Sequence, residues 1–137
     1  MQLRAWATAG VLLLVAGCGS GAPDLGAARP SGVEGLPVPA TATLNEGDES
    51  PAAETWAVPG AAGDDVLGWY DAEVPEGEDR PGGWVWCSST VRDDSVQRLW
   101  TRPGGELTVL VFPEEDPPQI LLMAGEAPLG TDRIDCE

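Results

Sequence analysis

The chain has 137 residues and a formal net charge of −16, from 23 acidic and seven basic residues, and every basic residue is Arg. A surface this acidic repels phosphate backbones, which excludes nucleic acid as a partner. The chain contains neither His nor Lys, which excludes serine–histidine catalysis, Schiff-base lysines and zinc sites built on His.

The first 17 residues predict an export leader. Arg4 is the only charged residue of this stretch, and an apolar run extends from Ala5 to Ala16. A run of about a dozen residues is too short to span a bilayer, which takes about 20. It fits the hydrophobic region of a secretory signal peptide, so we expect residues 1–17 to be removed.

The end of the apolar run, Val15-Ala16-Gly17-Cys18, resembles the lipobox of bacterial lipoproteins. The resemblance implies diacylglycerol transfer to the Cys18 sulfur, cleavage between Gly17 and Cys18, and acylation of the new amino terminus. Two acyl chains on one residue form a stable anchor, so we expect an extracytoplasmic protein held on the cell membrane by lipid. The alternative is an ordinary secretory signal cut nearby, with Cys18 a bystander.

The mature chain would carry 6 basic and 23 acidic residues, or −17, once Arg4 is lost. Such a charge is repelled by anionic headgroups, so the lipid would be the main attachment to the membrane. The Arg-only, Ala/Gly/Pro-rich composition resembles that of exported proteins from high-GC Gram-positive bacteria.

Cys87 and Cys136 remain as a pair once Cys18 is assigned to the lipid. In an exported, oxidising setting an even pair favours a disulfide. Two unpaired buried thiols are the alternative.

Residues 18–53 predict a disordered tether that carries the lipidated Cys18 at its start. The stretch is rich in Gly, Pro, Ala, Ser and Thr, contains no aromatic residue, and lacks apolar periodicity. A flexible segment of about 35 residues has a root-mean-square reach of about 30–35 Å.

Residues 54–137 predict one small domain. A short strand over Thr55–Val58 precedes a helix over Ala62–Glu73 that ends at Pro75. Asp64 and Asp65 favour the helix start, and one apolar face recurs at helical spacing: Val66, Leu67, Trp69, Tyr70 and Val74. Alternation and turn signals then predict four strands over Gly83–Arg92, Val96–Arg102, Glu106–Phe112 and Gln119–Ala124.

The order β-α-β-β-β-β predicts an α+β fold, with one helix packed on an antiparallel sheet of about four to five strands after a disordered tether. The segments Trp69-Tyr70-Asp71-Ala72-Glu73-Val74-Pro75 and Trp84-Val85-Trp86 resemble small exported lipoproteins with an aromatic helix and Trp-rich strands. That resemblance implies a fold and no particular activity.

Three tryptophans predict a binding surface: Trp84, Trp86 and Trp100 could line one face of neighbouring strands, where aromatic rings stack on sugars or grip peptide side chains. The alternative is that the helix covers these rings, because a domain this small needs them for its core.

Function is therefore expected to be non-catalytic, with no cofactor and no metal: a binding or interaction module that contacts wall polymer or another envelope protein. One alternative is an enzyme using carboxylates alone, such as a glycoside hydrolase, with Asp71 and Glu73 or Glu114 and Asp116 as pairs. A calcium loop around Glu76, Glu78 and Asp79 lacks the spacing of an EF-hand. The last alternative is a structural or regulatory lipoprotein without a small ligand.

Overall fold

The computed structural model describes residues 24–47, 52–126 and 136. The predicted leader, the Gly17–Cys18 cleavage site and the lipidated Cys18 lie outside these residues. Within the described ranges the chain forms eight strands and one helix. No helix there combines the length and the apolar character needed to cross a membrane.

Two sheets organise the chain, one of two strands and one of six. The elements are β1 (Ala28–Pro30), β2 (Pro37–Pro39), β3 (Thr43–Leu44), β4 (Ala53–Ala57), α1 (Gly63–Glu73), β5 (Val85–Val91), β6 (Val96–Arg102), β7 (Gly105–Phe112) and β8 (Gln119–Glu126). Strands β1 and β2 form an antiparallel ribbon, and the larger sheet has the order β3-β4-β8-β7-β6-β5. Every neighbouring pair in it is antiparallel.

The predicted fold class is wrong. Strands and bridges account for 45% and the helix for 11% of the described structure, so the fold is dominated by its sheets rather than being a simple α+β fold of four to five strands. The elements after residue 53 do follow the predicted order. The error comes from β1, β2 and β3, which the sequence pattern did not reveal.

The predicted disordered tether is also wrong where the structure describes it, over residues 24–47. This stretch forms three strands and contributes five buried residues to the core: Leu25, Val33, Leu36, Val38 and Ala42. Prolines at both ends of β2 cannot donate to a ladder, and the buried residues have no regular spacing, so neither strand nor helix periodicity is visible. The remainder of the predicted tether, residues 18–23 and 48–51, lies outside the described residues.

The ribbon and the segment before it are held to α1 by polar contacts and to the sheet by close packing. The Tyr70 hydroxyl donates to the Pro37 carbonyl at 3.0 Å, and Trp69 Nε1 donates to the Gly26 carbonyl at 3.1 Å. A side chain at Gly32 would overlap the buried Glu54 carboxylate. The ribbon and α1 therefore pack together on one face of the six-stranded sheet.

Arg98 of β6 holds the carboxyl end of α1. The helix has no basic residue in its last turn, and its final carbonyls need donors. The Arg98 guanidinium, only 5% exposed, donates to the Tyr70 and Val74 carbonyls at 3.1 and 2.8 Å and pairs with Asp71. A cation from the sheet thus supplies the charge that the helix dipole favours at this end.

Candidate binding surface

Trp84 and Trp100, two of the three tryptophans predicted to form a binding surface, lie in the core. Trp84 is 2% and Trp100 0% exposed, and both belong to the cluster that includes Tyr70. Trp100 Nε1 donates to the Glu78 carbonyl at 2.8 Å. Trp86 is half-buried and meets Trp100 edge to face, with ring centroids 5.3 Å apart. For Trp84 and Trp100, the structure therefore agrees with the alternative interpretation, in which the rings form the core.

Arg102 covers Trp84. Its guanidinium carbon lies 3.9 Å from the centroid of the Trp84 ring, and Nη1 donates to the Gly82 carbonyl at 3.0 Å. A Cβ added at Gly105 would come within 3.1 Å of the same ring. The ring is therefore enclosed by protein, and no face of it is free to stack on a sugar.

The acidic residues considered for catalysis or for calcium binding lie at the end of α1 and in loops. Asp71 is engaged by Arg98, Asp79 Oδ1 accepts the Trp86 backbone N–H at 2.9 Å, and Glu114 and Asp116 are exposed in the loop before β8. No group of three potential metal ligands occurs among residues 24–47, 52–126 and 136. These carboxylates serve as structural acceptors or as solvated surface.

Cys87 and Cys136 lie at disulfide distance, with Cα atoms 4.6 Å apart. Cys87 is 2% exposed and occupies an irregularity of β5, where the register with β6 shifts between Trp86 and Ser88. The bond links the edge strand of the sheet to the end of the chain, across a sequence separation of 49 residues.

The second face of the six-stranded sheet, here called the open face, carries the side chains that alternate with the core residues. It is defined by Ala53, Thr55, Gln97, Leu99, Thr101, Glu106, Thr108, Leu110, Phe112, Gln119, Leu121 and Met123. None of these belongs to the apolar core cluster, although Thr108 is itself only 5% exposed. The ribbon and α1 lie on the opposite face, so neither covers the open face.

Apolar side chains run across the middle of the open face. Leu110 of β7 and Leu121 of β8 are direct cross-strand partners. Thr108 of β7 pairs with Leu99 of β6 on one side and with Met123 of β8 on the other, so these three residues form one row across the sheet. Leu99, Leu110, Leu121, Met123 and Phe112 are all half-buried, so part of each side chain reaches the surface. Such a contiguous apolar area on a protein surface marks a site of interaction.

Charge is nearly absent from the open face. Glu106 is the one charged residue in the set that defines it, although the chain carries 23 acidic residues. The helix side differs, with Asp64, Asp71 and Glu73 exposed on α1. Because charges are depleted at the centre of protein interfaces, this distribution separates a solvated side of the domain from a side suited to contact.

The open face has two shallow depressions rather than a deep pocket. One, of about 230 Å³, lies at Phe112 and Leu121 and is also lined by Glu115; the other, of about 270 Å³, lies at Glu106, Thr108 and Met123. Each depression therefore has one carboxylate in its lining. Pockets that enclose drug-sized ligands usually have about 300–1,000 Å³. The shape therefore favours a flat macromolecular partner over a small ligand.

The sequence does not reveal the open face, because Leu107–Phe112 of β7 is almost wholly apolar and its pattern does not show which of these side chains the fold covers. The number of predicted helices could have indicated this face. A single helix packs on only one face of a sheet, so the apolar side chains of β7 and β8 that point to the other face had no predicted element to cover them.

The chain matches no protein-family model, no curated protein and no solved structure.

Proposed function

We propose that this protein is a lipid-anchored, non-catalytic binding protein of the bacterial cell envelope, and that its open face holds a protein partner. The observation that carries the proposal is the apolar surface around Leu110 and Leu121, which neither α1 nor the ribbon covers. Among the described residues of a strongly acidic chain, Glu106 and Glu115 are the charged groups that line its two depressions. The lipobox at Val15–Cys18 supports the envelope location.

A protein partner suits this surface better than a wall polymer. Sugar recognition relies on exposed aromatic rings, yet Trp84 and Trp100 are buried. The open face instead offers mainly aliphatic, Met and Thr side chains, with Phe112 as its one aromatic ring. Met and aromatic residues are enriched at protein interfaces, whereas Lys, Glu and Asp are depleted there.

Anchoring at Cys18 would keep the domain close to the membrane. Leu25 is already buried in the core, so the seven steps of chain from Cys18 to Leu25 span at most about 25 Å. This is shorter than the reach predicted for a 35-residue tether. The chain enters beside α1, where Gly26 accepts the Trp69 indole N–H. Since α1 packs opposite the open face, we propose that the open face points away from the membrane.

Site-specific photo-crosslinking in cells tests the proposed partner surface. A photoreactive amino acid at Gln97 of the open face should give a discrete, protease-sensitive adduct, whereas the same probe at Asp64 on α1 should not. The substitutions Leu110→Asn and Leu121→Asn together should abolish the adduct. An adduct formed only from position 64, or one removed by wall-degrading enzymes and resistant to protease, would overturn the proposal of a protein partner.

The anchor has its own test. Cys18→Ala should move the protein from the membrane fraction to the soluble extracytoplasmic fraction, because the acidic chain gains no attraction from anionic lipid. Unchanged membrane fractionation of Cys18→Ala would refute lipidation at this residue.

A further inference from the structure

The two edges of the six-stranded sheet differ in what they offer to another strand. The edge strand β3 has two residues, Thr43–Leu44, whereas β5 at the other edge has seven, Val85–Val91. Within the described part of the chain, β5 pairs with β6 on one side only. A long edge strand presents unpaired backbone groups to other chains.

Features that hinder pairing with another strand occur only in the first half of β5. The Trp86 N–H is already bound by Asp79, the register shifts between Trp86 and Ser88, and Cys87 is tied to Cys136. The second half, Ser88–Val91, contains no charge, proline or shift of register. Its last three residues are exposed, Val91 to 78%.

The antiparallel pattern identifies the backbone groups that face outward. Arg92 N–H donates to the Ser95 carbonyl at 2.8 Å and closes the β5–β6 turn. From Arg92 back toward the start of β5, the backbone N–H and C=O groups of successive residues point alternately away from β6 and toward it. The N–H and C=O groups of Ser89 and Val91 therefore point away from the sheet, at the spacing that an added strand requires.

Acidic residues outnumber basic ones at both ends of this edge. In the β5–β6 turn Asp93 and Asp94 are exposed beside one cation, Arg92, which donates to Gln97. In the loop that precedes β5, Glu76, Glu78 and Asp79 accompany Arg80, which donates to the Gly35 carbonyl. An antiparallel second copy would bring like charges together on a chain of net charge −16. An extended segment with basic residues at its ends would match them.

We propose that the edge Ser88–Val91 binds an extended, basic segment of a partner protein by strand addition. Backbone hydrogen bonds to Ser89 and Val91 provide the affinity, and the flanking acids select a cationic segment. This site is separate from the open face and does not depend on the open face having a partner.

Amide hydrogen exchange tests the proposal on residues 18–137 carrying Cys18→Ser. The probe is the acetylated, amidated peptide Arg-Thr-Val-Thr-Val-Arg. At saturation it should slow exchange of the Ser89 and Val91 amides by at least about tenfold, as new hydrogen bonds do. A version N-methylated on alternate residues, unable to complete the ladder, should have no effect. Unchanged exchange, or equal protection by a peptide with Glu in place of Arg, would overturn the proposal.

A matched pair of substitutions locates the site on the strand. Val91→Lys should raise the Kd of the Arg peptide by at least about tenfold, since an edge lysine opposes strand pairing and repels the cationic probe. Val85→Lys places the same residue in the protected half and should change the Kd by less than about twofold. Equal effects of the two variants on the Kd would contradict the assignment. So would dimers detected by sedimentation equilibrium without peptide, if amide exchange at Ser89 and Val91 were also slowed in them.

Discussion

The two faces of the six-stranded sheet are built from the same strands yet have different surroundings. On β7, Leu107, Val109 and Val111 are buried under α1 and the ribbon, while Leu110 and Phe112, which point to the other face, are only half-buried. Both sets are apolar. The comparison shows that apolar strand composition alone does not distinguish a face that holds the fold together from a face available to a partner.

Polar anchoring also separates the two faces. On the covered face, Tyr70, Trp100 and Arg98 each donate to a specific backbone carbonyl. These contacts fix the layers that lie over the sheet, because buried polar groups are costly without partners. We interpret the covered face as the source of stability and the open face as the functional surface, and each prediction below tests that division.

Removal of the ribbon should have the largest effect. Leu25, Val33, Leu36 and Val38 are buried, and each such side chain contributes about 1.5–3 kcal/mol, against a net domain stability of about 5–15 kcal/mol. Residues 54–137 alone should therefore fail to fold, whereas residues 24–137 should unfold cooperatively in urea. A cooperative transition for 54–137 would contradict the place of the ribbon in the core.

Loss of the Arg98 side chain should come next. Arg98→Ala leaves the Tyr70 and Val74 carbonyls and the Asp71 carboxylate without their donor, and should lower the free energy of unfolding by about 3–5 kcal/mol. Arg92→Ala, an exposed arginine at the β5–β6 turn, is the control and should cost less than about 0.5 kcal/mol. Similar losses in the two variants would disprove the helix-end role of Arg98.

The buried phenol of Tyr70 should make stability depend on alkaline pH. Burial raises the pKa of Tyr70 above its ordinary value of 10.0, so its contribution is present below about pH 10 and is lost as the pH rises further. Tyr70 is the only tyrosine and the chain has no lysine, so tyrosinate absorbance reports this group alone. Ionisation should coincide with unfolding.

Tyr70→Phe removes the hydrogen bond to the Pro37 carbonyl and should cost about 0.5–1.5 kcal/mol at neutral pH. It should also remove the loss of stability above about pH 10. A phenol that titrates near its ordinary pKa while the protein remains folded would show that Tyr70 is accessible to solvent.

The sequence could predict the elements that have strong local patterns. Helical spacing located α1, and turn signals at Asp93-Asp94 and Pro103-Gly104 located the hairpins on either side of β6. It could not predict β1 and β2, because prolines and irregular apolar spacing hide a ribbon whose stability comes from tertiary packing. The contact between Arg98 and the end of α1 joins distant segments and has no local signature.

The open face was beyond prediction for a related reason: an apolar strand residue is covered only if the fold supplies a second layer. The most direct test of the two-face account compares neighbouring positions on the same strands. Leu110 pairs with Leu121 on the open face, and Val109 pairs with Leu122 on the covered face.

Urea unfolding of the two double variants, Leu110→Asn with Leu121→Asn and Val109→Asn with Leu122→Asn, is the decisive measurement. The open-face pair should lower the free energy of unfolding by no more than about 2 kcal/mol, because both leucines are half-buried by their strand neighbours but have no layer packed over them. The covered-face pair should cost more than about 4 kcal/mol, since it buries polar groups in the core. A comparable loss in both variants would contradict the account, because it would mean that the open face is part of the folding core.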